Sequence, residues 1–256
     1  MLLMDCKDQS ECAAMDSTTS NRQTIEKLKA SGTATIANVL LGRGFRNVYL
    51  LGLIALDSNQ ERLAGPAFTL RFIPAREDLD SMENYASEEN IHRRAIEECP
   101  AGSVLVIDSG GCVKASSAGD IMAARLKARG AAGIVTDGGF RDTAGIIATG
   151  LSAYHQAPAP PATVIALHPV ELNQPIGCAG VAIYPGDMIV GDSEGVVAIP
   201  SHIVDEIADG AYDQTQYEEY VEFQVAQGRS IFGLFPATPE SREKYEEWVA
   251  AGRPRD

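Results

Sequence analysis

Between Gly119 and Asp142, three residues have the chemistry to hold a cation and an anion side by side: Asp120, Arg141 and Asp142. Asp120 follows Gly119 at the head of DIMAARLKARG, a segment of helical character with Gly130 as its stop. Arg141 and Asp142 close AAGIVTDGGFRD, an apolar strand-like run that ends in Asp137 and the pair Gly138-Gly139. Two carboxylates plus water suit a hard divalent cation, Mg²⁺ or Mn²⁺. A helix that starts after the small residues ASSAG presents free N–H groups, here those of Ile121 and Met122, to an anion. Arg141 adds a charge that is not lost near neutral pH. Taken singly, each residue has an ordinary role: Asp120 as a helix cap, Asp137 as a turn former, Arg141 and Asp142 as surface ion-pair partners. The combination, at the ends of consecutive elements, is what points to a site.

The elements that must position these residues read as an α/β domain. SNRQTIEKLKASGTATIANVL is helical, with Ser20 or Asn21 as its cap, and VYLLGLIAL has strand length. RLAGPAFTLRFIP reads as a strand entered through Gly-Pro, and the charged run from Arg76 to Gly102 as mostly helical. SVLVIDSGG is a buried strand, SSAGDIMAARLKARG a helix and AAGIVTDGGFRD a second buried strand, which together make a βαβ unit. Its ligand crevice is expected outside the carboxyl ends of the strands. TAGIIATGLSAYHQ is partly helical, PAPPATVIALHPV returns to a strand, and VAIYPGDMIVGDSEGVVAIPS reads as an antiparallel meander. The expected organisation is a loose N-terminal arm at 1–21, one α/β domain at 22–205, and a charged helical extension at 206–256 broken at GRSIFGLFPATPE.

Several function classes are disfavoured by composition. A net charge of −14 opposes non-specific nucleic-acid binding and repels an anionic membrane surface. Cys6, Cys12, Cys99, Cys112 and Cys178 form no zinc pair and no disulfide framework. His92, His155, His168 and His202 are scattered, without metal-ligand spacing, and His155 and His168 read as structural. No apolar run reaches membrane-spanning length and the first residues lack a secretory pattern, so a cytoplasmic location is expected. No nucleophile elbow, phosphate loop or dinucleotide fingerprint occurs.

AGDIMAARLKARGAAGIVTDGGFRD, followed by VAIYPGDMIVGDSEGVVAIP, resembles the RraA-like family, which includes 4-hydroxy-4-methyl-2-oxoglutarate aldolases and regulators of ribonuclease activity. The resemblance covers about 25–200. It implies a compact α/β/β sandwich of the swivelling-domain type, assembled as a homotrimer or homohexamer. It further implies that Asp142 binds the metal, that Asp120 holds a water on it, and that Arg141 contacts the 2-oxo acid end of the substrate. A C-terminal glutamate of a neighbouring subunit takes part in the family; Glu218, Glu219 and Glu222 are available here, and Glu219 is the one selected.

The implied activity is a metal-dependent (class II) aldolase that cleaves a 4-hydroxy-2-oxo acid to pyruvate through a metal-stabilised enolate, with oxaloacetate decarboxylation as a side activity. The alternatives are a non-catalytic ribonuclease-regulator-like binding protein, disfavoured because such regulators lack the metal-binding Asp, and a related sugar-acid dehydratase. In the insert-like segment LRFIPAREDLDSMENYASEENIHRR, Arg71, Arg76, Arg93 and Arg94 either recognise a distal acid or, the stronger reading, form solvated ion pairs.

Overall fold

The computed structural model describes residues 22–254, so the N-terminal arm and the proposed caps Ser20 and Asn21 lie outside the described residues. The first helical stretch is divided into α1 (22–30) and α2 (Thr33–Gly42). At the break, the Asp192 carboxylate accepts from the Thr33 N–H at 2.7 Å and the Thr33 hydroxyl at 2.8 Å. An acid from a distant turn thus satisfies donors that the start of α2 leaves open.

β1 (Ile54–Ala55) and β2 (Leu63–Pro74) follow. The charged segment after β2 forms two short helices, α3 (Met82–Ala86) and α4 (Ile91–Glu98), capped by the side chains of Ser81 and Asn90. Next come β3 (Val104–Asp108), β4 (Ser116–Ala118), α5 (Asp120–Ala128), β5 (Gly133–Thr136), β6 (Gly139–Phe140), α6 (Thr143–Thr149) and β7 (Ser152–His155). β4 corrects the helical reading of SSA, and β7 is the non-helical end of the partly helical TAGIIATGLSAYHQ. Both are fixed by tertiary partners: Ser117 Oγ donates to Gly139 O at 2.9 Å, and β7 lies beside β5. The chain continues through β8 (Ala157–Pro158), β9 (Leu167–Leu172), β10 (Ile176–Cys178), β11 (Val181–Ile183), β12 (Met188–Asp192), β13 (Gly195–Ile199), α7 (Val204–Ala226) and α8 (Pro239–Ala250). The expected meander is only half present. β12 and β13 form a hairpin, whereas β11 turns back to pair with β10.

β2 organises the main sheet. Residues 63–66 pair antiparallel with β12, 67–71 pair parallel with β3, and 70–74 pair antiparallel with β9. Pro66 falls where the pairing changes over, a position where a missing N–H is best tolerated. From β3 the sheet runs parallel through β5 to β7, and from β12 it runs to β13. Residues 48–56 then bridge the far ends. Leu50 N–H donates to Val196 O of β13, while β1 pairs with β7 and Leu56 N–H donates to Ala153 O. The sheet is therefore nearly closed on itself.

Alternating strand residues separate two cores. Phe68, Leu70, Leu105, Ile107 and Ile134 meet Ile96 of α4, Leu126 of α5 and Ile146 of α6. Val104, Val106, Val135 and Tyr154 point the other way, into the closed sheet and onto Ile176, Cys178, Val181 and Ile183 of the β10–β11 hairpin. Helices, sheet and hairpin make the α/β/β layering. The first half of α7 (Val204, Ile207, Ala208, Ala211) packs with α1 and α2 over β12 and β13. Its second half joins α8 through Tyr217, Tyr220, Leu234 and Trp248.

Candidate functional site at the N-termini of α5 and α6

α5 and α6 follow β4 and β6, which pair in parallel, so their first turns lie side by side. Gly119 is the N-cap of α5 and Asp120 its first residue; Asp142 is the N-cap of α6. Two glycines allow these ends to meet. A side-chain carbon on Gly119 would stand 3.1 Å from both Arg141 Nε and Asp142 Oδ2. One on Gly145, in the first turn of α6, would stand 2.8 Å from Asp120 Oδ2. Asp120 is thus pressed against the start of α6, and Asp142 against the start of α5.

Asp142 has φ 53° and ψ 40°, the left-handed conformation that Asp tolerates better than most residues. Its carboxylate makes no capping bond and meets Arg141 Nε at 3.1 Å, with both side chains close to half exposed. Gly138 and Gly139 do not have left-handed backbone. They are needed for close approach, since a Cβ would lie 2.7 Å from Ser109 Cβ at Gly138 and 2.3 Å from Ala159 Cβ at Gly139. Asp137 is a structural acid. It is 5% exposed and accepts from the N–H groups of Ser109 (2.6 Å), Gly111 (3.2 Å) and Ala179 (3.2 Å). Burial raises its pKa, and the donated N–H groups pull it back only in part.

The α5 end opens into a cleft of about 710 Å³ lined by Gly119, Asp120, Ile121, Met122 and Arg141 on one side. One expectation is corrected here. The Ile121 N–H is not free, because it donates to Asp120 Oδ1 at 2.7 Å. The Met122 N–H remains at the open turn, since the first intrahelical bond runs from the Ala123 N–H to the Gly119 carbonyl. The opposite wall carries Met82 and Tyr85 of α3 with Arg93, Arg94 and Ile96 of α4. Sequence reasoning did not select Met82 and Tyr85. Their signal was an i, i+3 apolar pair on an otherwise charged helix. Burial raises the Tyr85 pKa against the opposing pull of Arg141 and Arg93.

The four arginines of the insert are engaged. Arg71 pairs with Glu171, Arg76 with Asp78 and Arg94 with Glu98, while Arg93 donates to the carbonyls of Ala86 and Ser87. Glu219 is not at the cleft of its own chain; it pairs with Arg253 at 3.1 Å, and Glu218 takes the Thr35 hydroxyl. His155 is buried and stacked on Phe140, and His168 Nδ1 meets Asp80 at 2.8 Å. His92 is wholly buried against Phe72 and Tyr85, and burial lowers its pKa to about 4 although the Ser117 backbone draws it part-way back.

A divalent cation fits the donor set at the junction of α5 and α6 as far as two carboxylates go. Both are oxygen donors, both are accessible, and Asp142 carries no backbone bond that a cation would have to displace. Among the described residues no group of three or more His, Cys, Asp or Glu gathers as a metal cage, so water or ligand oxygens must complete the shell. That is the usual arrangement for Mg²⁺. No helix among the described residues is long and apolar enough to cross a membrane.

The model of the RraA-like family, described as Aldolase/RraA, matches residues 33–198, which span the sheet, both helix N-termini and the cleft. The chain belongs to the RraA-like family. A Halalkalibacterium halodurans protein provisionally named 4-hydroxy-4-methyl-2-oxoglutarate aldolase is 33% identical over 56% of this chain. The chain spans 62% of that relative's length. The Legionella pneumophila protein DlpA is 23% identical over 91% of this chain, which spans only 36% of DlpA. Streptomyces coelicolor RraAS2, titled an unusual member of the RNase ES inhibitor RraA protein family, superposes with a TM-score of 0.69 at 32% identity. That match covers 78% of this chain and 95% of RraAS2.

Proposed function

We propose that this chain is a divalent-metal-dependent lyase that cleaves a 4-hydroxy-2-oxo acid to pyruvate, with oxaloacetate decarboxylation as a side activity. The observation that carries the reading is Asp142: an acid in a left-handed cap position, its carboxylate making no capping bond, beside Arg141 and the open turn of α5. Asp142 and Asp120 would hold Mg²⁺ or Mn²⁺, which would supply positive charge where negative charge develops in the reaction. The chain's own groups do the rest. Arg141 swings from Asp142 to the substrate's carboxylate and 2-oxo oxygen, where its planar fork fixes orientation. The Met122 N–H and the positive end of α5 hold the carboxylate. Asp120, held by the Ile121 N–H, orients the water that takes the 4-hydroxyl proton. The C3–C4 bond breaks, the carbonyl fragment leaves, and the electron pair remains on the pyruvate enolate until C3 is protonated.

Small-molecule 2-oxo acids are thus the proposed partners. The same reading proposes assembly into a homotrimer or homohexamer in which Glu219 of a second copy exchanges Arg253 for the site. Pyruvate release from 4-hydroxy-2-oxo acids and from oxaloacetate, assayed with Mg²⁺ or Mn²⁺ and again with excess chelator, tests the reading. Metal-dependent release supports it, and no release with either metal overturns it.

A further inference from the structure

The cleft is longer than a pyruvate unit requires. Its 710 Å³ lies within the range of roughly 300–1,000 Å³ that holds drug-sized ligands. The α5 end accounts for the 2-oxo acid head. What the far wall reads depends on how its arginines and those beside it are engaged, and each has a partner within the chain. Arg94 is held by Glu98 at 2.6 Å. Arg125 makes a forked pair with Glu97 at 3.0 and 2.8 Å. Arg93 donates through Nη1 to the carbonyls of Ala86 and Ser87, which ties α3 to α4. A second acid bound there would compete with Glu98 and Glu97 for Arg94 and Arg125 and would face Glu88 and Glu97, which also line the cleft. The apolar surface that a ligand meets there is Met82, 64% exposed, with the partly exposed Tyr85 and Val164. An exposed methionine and a tyrosine facing a cleft form an adaptable apolar surface.

Resting on the lyase reading, we infer that the far wall selects 4-hydroxy-2-oxo acids whose C4 substituent is an apolar, aryl or alkyl group, and that Met82 and Tyr85 are its specificity residues. The aldol acceptor released beside pyruvate is then a hydrophobic aldehyde or ketone. A reaction that consumes this product must act on an uncharged carbonyl, and the reaction that supplies the substrate must leave a hydroxyl next to an apolar carbon.

The test compares kcat/KM for 4-hydroxy-2-oxo-4-phenylbutanoate with that for 4-hydroxy-2-oxoglutarate, which carries a carboxylate in place of the ring. The phenyl substrate is expected to lead by at least ~10-fold, the scale of discrimination that an apolar pocket delivers. Met82→Arg should invert the ratio, and Tyr85→Ala should bring it towards one. Calorimetric binding of 2-oxo-4-phenylbutanoate and 2-oxoglutarate, each with Mg²⁺, reads the same preference without turnover. If the phenyl ligand binds better but neither 4-hydroxy acid nor oxaloacetate yields pyruvate, the lyase reading falls and the apolar subsite stands. If the carboxylate ligand binds as well or better, or a second copy of the chain fills the wall so that neither tail is preferred, the inference is overturned.

Discussion

Asp137 sits behind the turn between β5 and β6, buried and bonded to three backbone N–H groups, whereas Asp142, five residues further on, sits half exposed in a left-handed cap with only Arg141 beside it. Both belong to TDGGFRD, at the two ends of the segment that holds Gly138 and Gly139. The first acid is consumed by the fold: it ties the loop after β3 and the turn after β10 to the end of β5. The second is held in a strained backbone position by the close approach at Gly119 and keeps its oxygens for something else. An acid with its lone pairs filled by N–H groups is architecture; an acid in unfavourable backbone with its lone pairs open is a candidate ligand.

The sharpest way to break this contrast is Asp142→Asn. Asn accepts the left-handed backbone, so thermal stability should hold while pyruvate release falls by at least ~1,000-fold and Mn²⁺ binding by calorimetry is lost. Retained activity would move the metal elsewhere. Arg141→Lys keeps charge but loses the planar fork. Turnover should drop ~100-fold at saturating Mg²⁺ with metal binding intact, and equal rates would remove Arg141 from the mechanism. Asp137→Ala should do the opposite of Asp142→Asn. Stranding three buried N–H groups costs about 2–4 kcal/mol in denaturant unfolding, with Mn²⁺ affinity per folded molecule unchanged.

Acid lability sharpens the separation further. His92 titrates near 4 in the folded chain against an ordinary 6.5, so on acidification the unfolded chain takes up its proton first. Its contribution is fully present above pH 6.5 and fades down to about pH 4, on the order of 3 kcal/mol in all. His92→Phe should flatten stability across that window, and an unchanged slope would assign the lability to other groups. The smallest effect is expected from Gly145→Ala. Displacing Asp120 should cost about tenfold in turnover, while the better helix former leaves stability within about 1 kcal/mol.

The strand–helix–strand heart of the molecule was readable because burial imposes a period, and the apolar runs of β3 and β5 sit between glycines. β4 and β7 were not, because three small residues or a mixed SAYH have no preference that survives without their neighbours. That Asp120, Arg141 and Asp142 stand at element ends was readable, and the structure places them at the starts of α5 and α6. That Gly138 and Gly139 serve close approach while Asp142 takes the left-handed backbone was not readable, since nothing local tells a glycine needed for φ from one needed for space. The far wall of the cleft was hidden for a different reason: α3 reaches it across the fold, from a segment whose charges dominate its reading.

Residues 48–56 hold β13 with one end and β7 with the other, around an exposed turn at Leu51 and Gly52. A single nick in that turn would release two strand borders together. Each border presents a row of open donors and acceptors, the template on which unrelated chains stack into aggregates. Colloidal solubility of the whole molecule therefore hangs on a clasp far from any chemistry. Limited proteolysis there, followed by light scattering, would show turbidity rising before the far-ultraviolet dichroism of the helices is lost.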